Sequence, residues 1–175
     1  QFRNLFMALN SNPDYNEWMG IYQKLVYWEL EIDTTENKSM AEVLNNQKNE
    51  ANAHFSKFIE KNYEDWLQKP DAETPVLSHL MLRKHVFPKI NDKSPLYFIL
   101  IDNLRFDQWK TLDKYIQEYF QLESESKYYS ILPTTTAYAR NSIFAGMMPS
   151  EIAKNYPDKW VYDVGDSEDE EGFNK

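Results

Sequence analysis

The spacing of the apolar residues changes near Pro88, and this change most limits the folds open to the chain. Before Pro88, apolar residues recur every three or four positions, which is the period of one face of an α-helix. After it, Leu96 to Ile101 form the unbroken apolar run LYFILI. Such a run is typical of a strand buried on both faces of a parallel sheet. The sequence therefore predicts an all-α helical bundle over residues 1–92, followed by an α/β region over residues 93–175.

Local signals predict three helices in the first region. Their starts are marked by Asn12-Pro13, by Ser39 with Glu42 as a capping box, and by Thr74-Pro75. Pro88 is expected to end the third helix. Short polar connections between the three helices favour an antiparallel bundle.

The aromatic residues of these helices have two interpretations. At helical spacing they are expected to form a core, and the alternative is a partner-binding or dimer-forming spacer. The three histidines, His54, His79 and His85, show no metal-binding pair on one helical face, so surface or core positions are expected for them.

The apolar pattern of the second region predicts a strand, a helix and a second strand. The strand Leu96–Ile101 is followed by a helical stripe from Arg105 to Phe120, and Lys127–Leu132 is expected to be the second strand. This order is that of a parallel unit in an α/β fold, here a partial parallel sheet.

Composition excludes several classes of protein. The net charge of −9 argues against a general affinity for DNA, and the lack of cysteine excludes disulfides and thiolate metal sites. No apolar run has the ~20 residues needed to span a bilayer. The start, QFRNLF, is unlike a signal peptide. We expect a soluble protein of a reducing compartment, and a piece of a longer chain.

The C-terminal stretch carries a dense acidic run from Asp166 to Glu171. A solvated loop is the expected structure. The run lacks the ligand spacing of a calcium loop.

Two polar features fall where ligands bind in open α/β sheets, at the carboxyl ends of the strands. Asp102 ends the first strand, and Thr134, Thr135 and Thr136 follow the second. Thr136 is expected directly before a helix Ala137–Ala145, whose N-terminus suits a phosphate group. Gly146 can end that helix and Pro149 can begin the next. The alternative is that Asp102 is a turn residue and the threonines are helix caps.

Several stretches resemble known families in a consistent order. WMGIYQKLVYWELEI, QKNEANAHFSKFIEKNYEDW and LSHLMLRKHVFPKI resemble the helical linker of PorX-like response regulators. IDNLRFDQW and LPTTTAYARNSIFAGMMPSEI resemble the start of a PglZ domain, a branch of the alkaline phosphatase superfamily. The resemblance implies a linker followed by the N-terminal part of an alkaline-phosphatase-like domain.

The resemblance also implies roles for individual residues. In a D-x-x-R-x-D-like stretch, here Asp102, Arg105 and Asp107, the first aspartate would be a zinc ligand. In the pattern that runs here from Pro133 to Gly146 and Pro149, Thr136 would be the nucleophile and would contact the metal. The resemblance suggests that Asn141, and less directly Arg140, help to orient the phosphate.

One departure from the family pattern limits these implications. The two-zinc site of the superfamily needs further Asp and His ligands after the nucleophile, but no histidine follows His85. We therefore expect zinc in an intact parent and an incomplete site here, with this chain alone inactive.

Two functions follow from the resemblance. The parent is expected to be a bacterial, cytoplasmic two-component response regulator whose PglZ effector is a zinc-dependent phosphodiesterase or phosphatase acting on a phosphate ester or nucleotide. The alternative is a non-catalytic regulatory module that dimerises when phosphorylated and binds signalling or secretion-regulating proteins. PorX-like proteins are associated with the control of type IX secretion.

Overall fold

A computed structural model describes residues 2–35, 38–69 and 73–160. The chain divides into two compact units, each built from two stretches of sequence. The first unit contains residues 1–75 and 103–125, and the second contains residues 76–102 and 126–175. The predicted acidic loop Asp166–Glu171 lies outside the described residues.

The described residues of the first unit form the helices α1 (Phe2–Leu9), α2 (Tyr15–Thr35), α3 (Lys38–Gln68) and α4 (Phe106–Ile116). The apolar stripes of the first three form one core, as the periodicity predicts. Its buried members are Leu5, Leu9, Trp18, Ile21, Leu25, Ile32, Leu44 and Ala51. Phe55 and Phe58 of α3 pack edge-on or tilted against Trp18, with ring centroids 5.2 and 6.0 Å away. Helix α4 packs on α2 through Phe106, whose ring centroid lies 6.0 Å from that of Tyr22.

Helix α2 begins two residues later than the Asn12-Pro13 signal predicts. Asp14 accepts a hydrogen bond from the backbone N–H of Glu17, and the Glu17 carboxylate accepts one from the backbone N–H of Asp14, both at 2.8 Å. This reciprocal capping box satisfies the backbone donors of Asp14 and Glu17 at the observed start of the helix. Asn12 instead adopts a left-handed conformation, with φ of 54°. The predicted cap at Asn12 is therefore wrong.

The predicted third helix of the bundle is not part of the helical unit. The segment from Thr74 to Pro88 yields three short turns: Ser78–Leu80 and Phe87–Lys89 are 3-10 and Leu82–Val86 is π-helical. These turns belong to the second unit. Helix α1, which the sequence analysis did not predict, packs with α2 and α3 in its place.

The predicted parallel sheet is not observed, because the described part of the chain contains no strand. Leu96–Ile101 makes no backbone hydrogen bond to any described residue. Tyr97 is 83% exposed and Ile99 is 79% exposed. A strand exists only where a neighbour pairs with its backbone, and no segment in the described part of the chain pairs with this one. Among the described residues, the strand-like pairings are two isolated bridges, Leu77 to Tyr129 in parallel and Asn91 to Ser94 in antiparallel.

The second unit also contains helices α5 (Thr136–Ala145) and α6 (Pro149–Asn155), followed by a 3-10 turn at Pro157–Lys159. Gly146 ends α5 in a left-handed conformation with φ of 63°, and Pro149 is the first residue of α6. Both predictions are confirmed. Where the chain is described, no helix has the length and apolar composition needed to cross a membrane.

Candidate functional site

The three threonines lead directly into α5. Thr135 is the N-cap, with extended backbone angles, and Thr136 is the first helical residue rather than the residue before the helix. The carbonyl of Thr135 accepts hydrogen bonds from the N–H groups of Tyr138 and Ala139, at 3.1 and 2.9 Å. No side chain caps this helix end. The backbone N–H groups of Thr136 and Ala137 therefore point outward without a partner among the described residues.

The hydroxyl of Thr136 is free for chemistry. Thr136 is exposed, and its side chain makes no hydrogen bond to a described residue. The capping position is Thr135, and no side chain caps the helix there. The Thr136 hydroxyl lies at the helix end that carries the two free N–H groups and the positive end of the helix dipole.

Asp102 lies next to the same helix. Its carboxylate is 3.9 Å from the guanidinium of Arg140, at side-chain exposures of 46% and 31%. Arg140 follows Thr136 by four residues, so both side chains lie on one face of α5. The structure thus brings Asp102 beside Arg140, and Thr136 lies one helical turn before Arg140 on α5.

Asn141 is not part of that face. It follows Thr136 by five residues, which corresponds to roughly 140° of rotation around a helix of ~3.6 residues per turn. Its predicted role in orienting a phosphate has no geometric support from the described residues.

Arg105 and Asp107 form a separate pair. The guanidinium of Arg105 donates two hydrogen bonds to the Asp107 carboxylate, at 3.0 and 2.7 Å. These bonds lower the pKa of Asp107 and raise that of Arg105. The pair belongs to the helical unit, whereas Asp102 belongs to the second unit.

The Arg105–Asp107 pair lines a cavity of about 330 Å³ in the helical unit, together with Tyr22, Glu29 and Lys48. Lys48 donates to the carboxylate of Glu29 at 2.6 Å. Burial raises the pKa of the Tyr22 hydroxyl, and the nearby carboxylates of Asp107 and Glu29 raise it further. The cavity is a closed charge network, in which each cation already has an anionic partner.

The described residues do not fit a zinc site. A catalytic zinc is normally held by three protein ligands, with a fourth position open. Asp102 and Thr136 offer oxygen donors, but the described stretches contain no group of three or more His, Cys, Asp or Glu residues able to hold a metal. The cation nearest to Asp102 in this arrangement is the guanidinium of Arg140.

The sequence analysis missed Ser78. Its hydroxyl accepts a hydrogen bond from the backbone N–H of Ile131 at 3.1 Å. Ser78 stood inside a predicted helix, and no sequence signal linked it to a residue 53 positions away.

Two family models match the chain. A PorX response regulator linker domain matches residues 1–67, and a BREX system PglZ alkaline phosphatase-like domain matches residues 81–174. A comparison with curated proteins finds no match. The two matches occur in the order that the resemblance implied. The division predicted between residues 92 and 93 stays a prediction.

Proposed function

Because the chain belongs to the PglZ family of alkaline-phosphatase-like domains and carries a PorX-type linker before it, we propose that it is part of a response regulator whose PglZ domain cleaves phosphate esters. The observation that supports this proposal is the uncapped start of α5. There a free threonine hydroxyl and two free backbone N–H groups lie at the start of a helix that carries Arg140 one turn further on.

The chemistry of this arrangement favours phosphoryl transfer. The N–H groups of Thr136 and Ala137 and the helix dipole would bind two anionic oxygens of a phosphate ester. Arg140, one turn further, would neutralise the charge that grows on these oxygens in the transition state. The Thr136 oxygen would form the new bond to phosphorus while the bond to the leaving oxygen breaks. The hydroxyl proton would pass to water during the attack, and the departing alkoxide would take up a proton from water. A second water would then attack the phosphothreonine, so that the bond from phosphorus to the Thr136 oxygen breaks, the phosphate product leaves and the hydroxyl is restored.

Zinc remains part of the proposal at the level of the longer protein. When bound, zinc makes a hydroxyl or water acidic enough to react at neutral pH. Asp102 and Thr136 are the residues proposed to touch it. The further ligands would have to come from outside the described residues. No zinc-dependent activity is therefore expected from this arrangement by itself.

The test is a pair of threonine variants in a protein that contains the chain and the rest of its PglZ domain. Thr136→Val should lower the rate of hydrolysis of a p-nitrophenyl phosphodiester by roughly 10³-fold or more, because the attacking oxygen is lost. Thr136→Ser should keep much of the activity. Thr134→Val is the matched control, since Thr134 is exposed and precedes the helix. Full activity in Thr136→Val would overturn the nucleophile.

The second candidate function is a regulatory module without catalysis. The observation that favours it is the exposed apolar segment Leu96–Ile101, which offers unpaired backbone groups to another chain. In this case a phosphorylated parent would dimerise or bind partners that control secretion. Retained signalling by a folded Thr136→Val parent would support this function, and lost signalling would support the enzyme.

A further inference from the structure

Two distant segments of the second unit run side by side ahead of the candidate site. Leu77 and Tyr129 form a parallel bridge, and the backbone N–H of Tyr129 donates to the carbonyl of Val76 at 2.8 Å. In a regular parallel ladder, the next bond donated by the segment of Tyr129 would run from the N–H of Ile131 to the carbonyl of Ser78.

That next bond is made by a side chain instead. The chain turns into a 3-10 helix at Ser78, and the carbonyl of Ser78 accepts the N–H of Met81. The hydroxyl of Ser78 takes the ladder position and accepts the N–H of Ile131 at 3.1 Å. The hydroxyl therefore extends the pairing by one step beyond the point where the backbone leaves it.

Burial makes this hydroxyl hard to replace. Ser78 and Ile131 are both 0% exposed. Water cannot reach the Ile131 N–H, so no other acceptor is at hand if the hydroxyl is removed. Ser78 also lies between the two regions that the family models match, which end at 67 and begin at 81.

The position of this bond matters for the site. Residues 132–136 are all exposed, so Ile131 is the last buried residue before Thr136. We propose that Ser78 is a positioning residue for the candidate phosphate site, because its bond to Ile131 sets the path of the chain that delivers Thr136. This proposal concerns the same site, and its consequence for catalysis rests on the proposed function.

The test compares two buried serines of the same unit. Ser78→Ala removes the bond to Ile131. Ser142→Ala is the matched control, because Ser142 is also 0% exposed but its hydroxyl has no partner among the described residues. Ser78→Thr keeps the hydroxyl and should restore the behaviour of the unmodified chain.

The first readout is measured on the 175-residue chain and does not depend on activity. In Ser78→Ala, the amide of Ile131 should exchange with solvent roughly ten- to hundredfold faster, since a buried donor has lost its acceptor. The backbone order parameters of Thr134, Thr135 and Thr136 should fall from about 0.85 to below about 0.6. Unchanged order at these threonines would overturn the positioning role, whatever happens at Ile131.

The second readout separates this proposal from the proposed function. In the longer protein, Ser78→Ala should lower kcat for the phosphodiester by about tenfold and leave KM nearly unchanged, while Ser142→Ala changes neither. A rise in KM without a fall in kcat would overturn the positioning role, and so would an equal fall in kcat in Ser142→Ala. If Thr136→Val is as active as the unmodified protein, the proposed function fails, and the order parameters alone decide whether Ser78 positions the segment.

Ser78→Ala could also prevent folding, and Ser78→Cys then serves as the second variant. A thiol is a weak acceptor of nearly the same shape. Ser78→Cys should also speed amide exchange at Ile131 and lower the order parameters of the three threonines, but by smaller amounts than Ser78→Ala. Exchange and order equal to those of the unmodified chain would overturn the proposal.

Discussion

The helical unit and the segment Leu96–Ile101 of the second unit use their apolar residues in opposite ways. In the helical unit, Trp18 is 5% exposed and Ile21 is 3% exposed, within one continuous core. In the second unit, Tyr97 and Ile99 stand 83% and 79% exposed along an unpaired segment. A helix satisfies its own backbone hydrogen bonds and needs only a packing partner, whereas a strand needs a neighbour for its backbone as well. Apolar content alone therefore does not tell which segments are buried.

The largest expected effect tests the core of the helical unit. Trp18→Ala should lower the free energy of unfolding of that unit by about 3–5 kcal/mol, because it leaves a cavity among Ile21, Phe55 and Phe58. Tyr27→Ala, on the same helix at 50% exposure, is the control and should change it little. Urea denaturation followed by helical circular dichroism measures both. Equal losses would contradict the assignment of this core.

The next effect tests the start of α2. Asp14→Ala should destabilise the helical unit by about 1 kcal/mol, since the N–H of Glu17 loses its cap. Asn12→Gly should not destabilise it, because glycine adopts the left-handed angles of Asn12 without cost. If Asn12→Gly costs more than Asp14→Ala in the same denaturation experiment, the cap lies at Asn12 after all.

A smaller effect on stability is expected from the exposed segment. Ile99→Lys should change the free energy of unfolding by no more than about 0.5 kcal/mol, because Ile99 is 79% exposed. It should reduce self-association, since a lysine on an unpaired edge opposes pairing with another chain. Light scattering over a range of protein concentrations measures the second change. A large loss of stability would mean that Ile99 is buried in solution.

The smallest effect is a dependence on pH in the second unit. Burial lowers the pKa of His79 below 6.5, Arg83 lowers it further and Glu151 opposes the shift. Because the unfolded chain then binds the proton more readily, this contribution to stability is complete above pH 6.5 and is lost as the pH falls through the lowered pKa. Thermal unfolding between pH 8 and pH 5 should show the loss, and His79→Gln should remove this part of it.

Sequence patterns predicted those parts of the fold that depend on nearby residues. The apolar stripes of α2 and α3, the glycine that ends α5 and the proline that begins α6 all act within a few positions of themselves. The cap of α2 was misplaced because Asn12-Pro13 and Asp14 are competing local signals, and only the reciprocal bond with Glu17 decides between them. The strands failed for a different reason, since a run such as Leu96–Ile101 specifies a strand only when a partner lies beside it.

The sequence by itself determined the two long helices of the linker, the order of the two family regions and the place of the threonines at the start of α5. Only the tertiary structure decided which residues surround that threonine. The Arg140 guanidinium meets Asp102 at 3.9 Å, and the Ser78 hydroxyl meets an N–H group 53 residues away. Local hydrogen bonds and the spacing of apolar side chains involve residues within one or two helical turns, so short stretches of sequence are enough to predict them. Contacts across such distances arise only when the elements pack, because their energy depends on burial and geometry that no short stretch specifies.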